Sequence, residues 1–353
     1  MPAKYDIGFE EALSLTLERL SPLKAVEKSV AEACGFALAE DCHAVVDCPS
    51  ATTSMKDGYA VISVDVADAS KDDPVRLNIT AMVAAGDDSD QVVEPGKAVK
   101  VMTGARIPRN ANAVVSVEFT KEENGQAIFY RGADPGKNIL TRGSDVARGR
   151  PIAADGDILV PAMTGLLAAG GIHTVRVYPF PKVGIISTGD EVVAPGLPIK
   201  SGQVYASNMV TLLSWLRQFR METETAVVPD QADKIRETMK DMLEKVDVLL
   251  TSGGAWKSER DLTAGILMEM GGEVVFHRVR LGPGKAVALI LVDGKVCFCL
   301  PGGPPSNEMA FLQIALPGLL HMAGRSPKPF AFKKARLSAS VGGDITWTQC
   351  FQA

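Results

Sequence analysis

An excess of positive charge is missing from this chain: 42 acidic and 37 basic side chains over 353 residues leave a formal net charge of -5. Nothing electrostatic therefore recommends nucleic acid or an anionic membrane surface as its main partner. A small molecule or another protein is expected. Histidine is scarce, with His43, His173, His277 and His321 the full set, and none stands at zinc-ligand spacing to another histidine or a cysteine. The six cysteines, Cys34, Cys42, Cys48, Cys297, Cys299 and Cys350, form neither a CxxC pair nor a regular framework. They read as reduced, small apolar residues of a cytoplasmic chain. Also lacking are a run of about eighteen apolar residues that would span a bilayer and the basic start and apolar core of a signal peptide. No Ser/His/Asp triad or Walker loop is recognisable, since "GPGK" at 282–285 is too short and has no following Ser or Thr.

What is present is length and alternation. The size exceeds what one core usually supports, so two or more domains are expected. Phe9, Leu13, Leu17 and Leu20 share one stripe of a helix, and "VEKSVAEACGFALAE" reads as a second helix ended by Gly35. From Ala60 to Gly132 short β-rich pieces alternate with turn signals such as Pro95-Gly96 and Asn124-Gly125. Helix-like composition returns after Gly156, and Pro179 and Pro181 mark a hinge. Beyond it, strands and helices alternate as in a parallel sheet covered on both faces, with Asn208 capping one helix. A hairpin at Asp293-Gly294 gives the sheet an antiparallel edge, and the last helix kinks or ends near Pro317. The tail from Lys328 holds about two strands and too few residues for a core of its own. These changes of character divide the chain into 1–48 with 147–177, 49–146, 178–326 and 327–353.

In an open parallel sheet, ligands bind beyond the carboxyl ends of the strands. The polar clusters obey that rule. They are "STGDE" (Ser187, Thr188, Gly189, Asp190, Glu191), Asp230, the run from Ser252, Gly253 and Gly254 to Asp261, "GPGK", and "PGGPPS" from Pro301 through Pro304 to Ser306. Glycines with hydroxyls suit an oxyanion, whereas Asp190, Glu191, Asp230 and Asp261 repel one unless a cation intervenes. An anionic ligand with Mg²⁺ satisfies both. Taken singly, a glycine pair after a strand or an acid at a helix start is often only structural; convergence on one sheet edge favours a site. In the β-rich part, "TTSMKDGYAV", "VMTGARIP" and "TRGSDVARG" form another group, although Asp57-Gly58 also reads as a plain turn, Lys56 as a solvated charge, and Arg142 with Asp145 as a loop pair.

Seven motifs in order, "SMKDGYAV", "MTGARIP", "RGSDV", "STGDE", "TSGG", "PGK" and "LPGGPPS", resemble the molybdopterin molybdenumtransferase family of MoeA and the gephyrin E-domain. The resemblance implies an elongated homodimer. Each subunit would combine a helical linker and dimerisation domain, an inserted β domain, a MoaB/MogA-like three-layer α/β domain, and a C-terminal β-barrel, here missing or cut to the remnant 327–353. It implies Mg²⁺-dependent insertion of molybdate or tungstate into adenylated molybdopterin with release of AMP, and contact with the adenylyltransferase that supplies the substrate. By position, Asp57, Thr103, Asp145 and Lys285 match catalytic places, and Glu191, Asp230 and Asp261 metal-facing ones. Ser187, Thr188, Gly189, Asp190, Ser252, Gly253, Gly254, Asp261, Pro301, Pro304 and Ser306 fall at substrate-binding places. The chain departs from the family's usual pattern at Lys56, Trp256, Ser258, Gly282 and Gly303. Those departures keep a carrier of molybdopterin or finished cofactor, or a scaffold, as alternatives.

Overall fold

A computed structural model describes residues 3–88, 90–253, 262–328, 336, 338, 342–344 and 346–351. Its main sheet takes one strand from the start of the chain, β1 (Lys4–Gly8). The others come from the second half: β2 (Val183–Thr188), β3 (Thr223–Val228), β4 (Val248–Ser252), β5 (Glu273–Gly282), β6 (Ala288–Val292) and β7 (Lys295–Leu300). The order is β1-β5-β6-β7-β4-β2-β3. The continuously apolar runs hold the middle, and every residue of β2 and β4 is buried, as strands covered on both faces require. Only β6 runs antiparallel to its neighbours, and its turn into β7 places Asp293 and Gly294 at φ 46° and 80°, the left-handed pair of a tight hairpin. The expected antiparallel edge is therefore an interior strand. β1 extends the sheet past β5, pairing Lys4 with Phe276 and Ile7 with Val279 in parallel.

The helices are α1 (Phe9–Arg19), α2 (Pro161–Ala169), α3 (Ser207–Gln218), α4 (Ala232–Leu243), α5 (Leu262–Glu269), α6 (Pro304–Ala310) and α7 (Leu316–Met322). One face of the sheet is covered by α1, α3, α6 and α7 through Leu15, Leu212, Leu216 and Leu319. The other is covered by α4 and α5 through Ile235, Met239 and Leu267. Three layers result. Residues 4–20, expected within 1–48 as part of the helical domain, pack here instead, because Ile7, Ala12, Leu15 and Leu20 complete the α/β core. Near Pro317 the expected kink takes the form of a π-helical turn, Phe311–Ala315, joining α6 to α7. Proline has no N–H to give to the preceding turn, and widening that turn relieves the mismatch.

The expected second helix does not form. Val26–Ser29 is a strand paired antiparallel with Thr174–Tyr178, Gly35 turns the chain at φ 88°, and Ala37–Leu38 pairs with the same strand further along. Val30, Ala33 and Leu38 are buried there with Leu159, Leu167, Val175 and Val177. Long-range pairing that buries these side chains overrides a modest helical preference. The inserted domain is a six-stranded sheet in the order Thr120–Glu123, Gln126–Phe129, Val75–Val83, Lys97–Val101, Gly58–Val61 and Ala113–Ser116. Apolar clusters cover both faces. In the tail, Thr348–Gln349 pairs in parallel with Leu281 and Gly282. Among the described residues, no helix is long and apolar enough to cross a membrane.

Candidate functional site

Parallel register brings the ends of four strands level. Thr188 pairs with Val228, Ser187 with Ser252, and Ser252 with Leu300. The loops that begin at Gly189, Pro229, Gly253 and Pro301 therefore leave one edge side by side. A cavity of about 260 Å³ lies there, lined by Ser187, Thr188, Ser252, Gly253, Glu191 and Asn208 among others. Two glycines make the crossing possible. Gly253 sits at φ 108°, and a Cβ on it would come within 2.4 Å of the Thr188 carbonyl oxygen. Gly189 sits at φ 145°, where a Cβ would meet the Glu191 carboxylate at 2.8 Å. A larger cavity of about 710 Å³ lies at the opposite end of the sheet beside the Asp293-Gly294 turn. None of the motif residues lines it, and its Arg236 is already paired with Asp233 and Glu269.

The polar atoms of the smaller cavity are unusual in their partners. Ser187 Oγ and Thr188 Oγ1 are buried and have no hydrogen-bond partner among the described residues, a costly state unless a ligand or water supplies one. Ser252 Oγ accepts from two asparagines that the sequence reading misses. Asn208, expected to cap α3, is its second residue and makes no cap. Its Nδ2 instead donates to Ser252 Oγ at 3.1 Å and to the Gly302 carbonyl at 2.8 Å. Asn307, on the buried side of α6, donates from Nδ2 to Ser252 Oγ at 3.0 Å and to the Pro301 carbonyl at 2.8 Å. A buried asparagine among apolar helix positions was the available signal. Pro304 lines the cavity at the start of α6, and Ser306 follows within that helix.

Acidic groups gather beside the hydroxyls. The Asp230 N–H donates to Asp190 Oδ1 at 3.1 Å. Although the Asp230 residue is solvent-exposed, its carboxyl is raised above the ordinary aspartate range, first by partial desolvation and then by the charges of Asp190 and Glu191. A cation would relieve that crowding. Among the described residues no three His, Cys, Asp or Glu side chains form a ready-made metal cage. The carboxylates of Asp190, Glu191 and Asp230 are oxygen donors of the kind a hard cation takes, one or two at a time with water completing the shell. Gly254 and Asp261 lie outside the described residues, as do Trp256, Lys257 and Ser258.

The inserted domain carries a separate group. Asp57 Oδ1 accepts from the Thr103 N–H at 2.6 Å and from Thr103 Oγ1 at 2.8 Å, and these bonds hold its carboxyl below the ordinary range. Asp145 is tied to Cys48, its N–H donating to the Cys48 carbonyl at 3.0 Å. Arg142, read as a loop partner of Asp145, instead donates from Nε to Asp47 at 2.6 Å. Among the described residues no hydrogen bond or ion pair links Asp57, Thr103 or Asp145 to the strand-end loops. Lys285, expected to offer its charge to an oxyanion, lies 5.2 Å from the Trp347 ring centre in a cation–π contact and does not line the strand-end cavity.

Both groups fall within regions that match known families. Residues 7–171 match the family described as MoeA N-terminal region (domain I and II), and residues 184–321 match the one described as "Probable molybdopterin binding domain". A molybdopterin molybdenumtransferase of Haemophilus influenzae is 32% identical over 323 residues, 90% of this chain and 78% of that protein. One of Bacillus subtilis is 33% identical over 285 residues, 78% of this chain and 65% of the other. The solved structure of a molybdopterin biosynthesis MoeA protein from Pyrococcus horikosii superposes with a TM-score of 0.76 at 34% identity, covering 91% of this chain and 81% of that one. From its motifs, its fold and these relatives, the chain belongs to the MoeA family, the molybdopterin molybdenumtransferases of molybdenum cofactor biosynthesis.

Proposed function

We propose that the protein inserts molybdate or tungstate into adenylated molybdopterin with release of AMP, and that Mg²⁺ assists. The observation that carries this reading is the cavity at the strand ends, where buried hydroxyls without partners stand beside crowded carboxylates. Ser187, Thr188 and Ser252 donate to phosphate oxygens of the adenylated pterin, while Gly253 lets the ligand approach the backbone. Asp190, Glu191 and Asp230 would hold Mg²⁺, which when bound neutralises phosphate charge. Asp57, kept ionised by Thr103, orients water or the metal ion during P–O cleavage.

The two groups meet, in this proposal, across a homodimer, the inserted domain of one subunit completing the strand-end pocket of the other. An uncovered apolar surface on the linker domain supports it. Ala162, Gly165, Leu166, Ala168 and Ala169 of α2 are exposed, and Val45 and Val46 are exposed beside its carboxyl end. Such a surface is suited to cover by a second copy. The deciding experiment is AMP release from adenylated molybdopterin by the purified chain with Mg²⁺ and either oxyanion. Oxyanion-dependent release supports the transferase. Tight binding of molybdopterin with no release would replace it by a carrier.

A further inference from the structure

We infer that Asn208 and Asn307 are positioning residues that make the Ser252 hydroxyl an obligate hydrogen-bond donor to a ligand oxyanion, an inference that rests on the proposed function for the identity of that ligand. The argument is one of donors and acceptors. Each asparagine Nδ2 faces a backbone carbonyl at 2.8 Å, that of Gly302 for Asn208 and that of Pro301 for Asn307. A carbonyl only accepts, so the atom facing it must be the NH₂, and both amide orientations are fixed. The second hydrogen of each NH₂ goes to Ser252 Oγ, at 3.1 Å and 3.0 Å. A serine hydroxyl has two lone pairs and one hydrogen. Both lone pairs are taken, and the proton is what Ser252 has left to offer.

That proton belongs to the cavity. Ser252 is 4% exposed and lines it together with Ser187 and Thr188, whose hydroxyls find no partner among the described residues. Glu191 lines the same cavity, but no hydrogen bond joins it to any of the three hydroxyls. A hydroxyl free to rotate could accept from a neutral ligand as readily as it donates to an anion. Locked as a donor, Ser252 discriminates for the anion. The same two amides tie the Pro301-Gly302 turn to the end of β4, so the lock and the shape of the phosphate-facing loop are one device.

The test uses AMP as the probe, titrated calorimetrically, with adenosine as the neutral comparator. The proteins are wild type, Ser252→Ala, Asn208→Leu, Asn307→Leu, and Ser252→Ala combined with each leucine change. Leucine is close to asparagine in size and carries neither a donor hydrogen nor a charge, so it withdraws the bonds to the carbonyl and Ser252 without adding a carboxylate to the anion site. AMP affinity is expected to fall roughly 10- to 100-fold in each single variant while adenosine affinity stays nearly constant. Each double variant is expected to bind no worse than Ser252→Ala alone. Additive losses would mean that the asparagines act on the ligand or the fold directly, and would overturn the inference, as would unchanged AMP affinity in the single variants. Asn208 is only partly buried, so its variant keeps the test open if Asn307→Leu does not fold. If the wild type releases AMP from adenylated molybdopterin yet the variants bind AMP normally, the lock alone fails. If it neither releases nor binds AMP, the proposed function falls and takes the lock with it.

Discussion

The two groups of site residues are built by opposite means. At the strand ends the polar atoms belong to buried strands: Ser187 is 3% exposed and Thr188 2%. Their loops cross because glycine alone fits at 253. In the inserted domain Asp57 is partly buried and Thr103 is exposed, and the carboxylate is tied down by two short bonds to one residue. Buried hydroxyls without partners are arranged to receive a group stripped of water. An ionised carboxylate near solvent is arranged to meet something brought to it. The strand ends are thus a formed pocket, and in the proposed function the inserted domain supplies a group that is carried to it.

The largest expected effect falls on that second group. Asp57→Ala should lower AMP release by roughly 100-fold or more, with only a small fall in melting temperature, because the side chain supports no core packing and gives up only its two bonds to Thr103. Full AMP release by this variant would remove Asp57 from the mechanism. If the pocket is shared between subunits, mixing Asp57→Ala with Ser252→Ala chains and letting dimers exchange should restore roughly a quarter of wild-type sites, since half of the dimers regain one intact site. A mixture as inactive as its components would place both groups in one subunit. Next in size is Gly253→Ala, which should destabilise the fold by about 1–3 kcal/mol in chemical denaturation. The reason is that its φ of 108° and the Thr188 carbonyl at 2.4 Å oppose any side chain. Gly302→Ala, whose added Cβ would meet only the Gly253 Cα at 3.6 Å, should leave the denaturation midpoint nearly unchanged.

Legibility in the sequence follows the same division. β2, β4 and β7 were readable because strands buried on both faces are continuous apolar runs, and the edge rule then placed Ser187, Thr188, Ser252 and Gly253 together. β1 was not readable. Its "KYDIG" lacks both alternation and an apolar run, and it is a strand only because β5, some 270 residues away, offers an edge. The lost helix after Val26 failed for a related reason, a distant partner at Thr174–Tyr178. Asn208 escaped because an asparagine near a helix start reads as a cap, and Asn307 because nothing local marks it; their true bonds run to residues up to 94 positions away. The Asp57 and Thr103 pairing was visible only through resemblance, since 46 positions separate them and local evidence favours a turn.

A smaller effect sharpens the account of Asp57. Thr103→Val removes the hydroxyl donor and keeps the N–H, so the Asp57 carboxyl should rise toward the ordinary aspartate value. Its folded value is depressed, so the ionised form persists to lower pH in the wild type. The acid limb of the AMP-release profile should therefore move to higher pH in Thr103→Val, with only a modest loss at neutral pH. An acid limb that stays in place would mean that another group sets it.

The smallest effect tests the formed pocket through Asp230, where the sign is reversed. Its carboxyl is raised in the folded chain by partial desolvation and by Asp190 and Glu191. The unfolded chain releases this proton first, near about pH 3.9, so stability falls as pH rises from there to the raised folded value and stays level above it. Asp230→Asn removes that ionisation. The variant should melt slightly higher than wild type at neutral pH, lose the difference in acid, and need more Mg²⁺ for the same rate of AMP release. A cation in this pocket ties the three outcomes together, because the crowding that destabilises the free protein is the same crowding that attracts the ion. Higher stability with an unchanged Mg²⁺ requirement would separate them and move the ion away from Asp230.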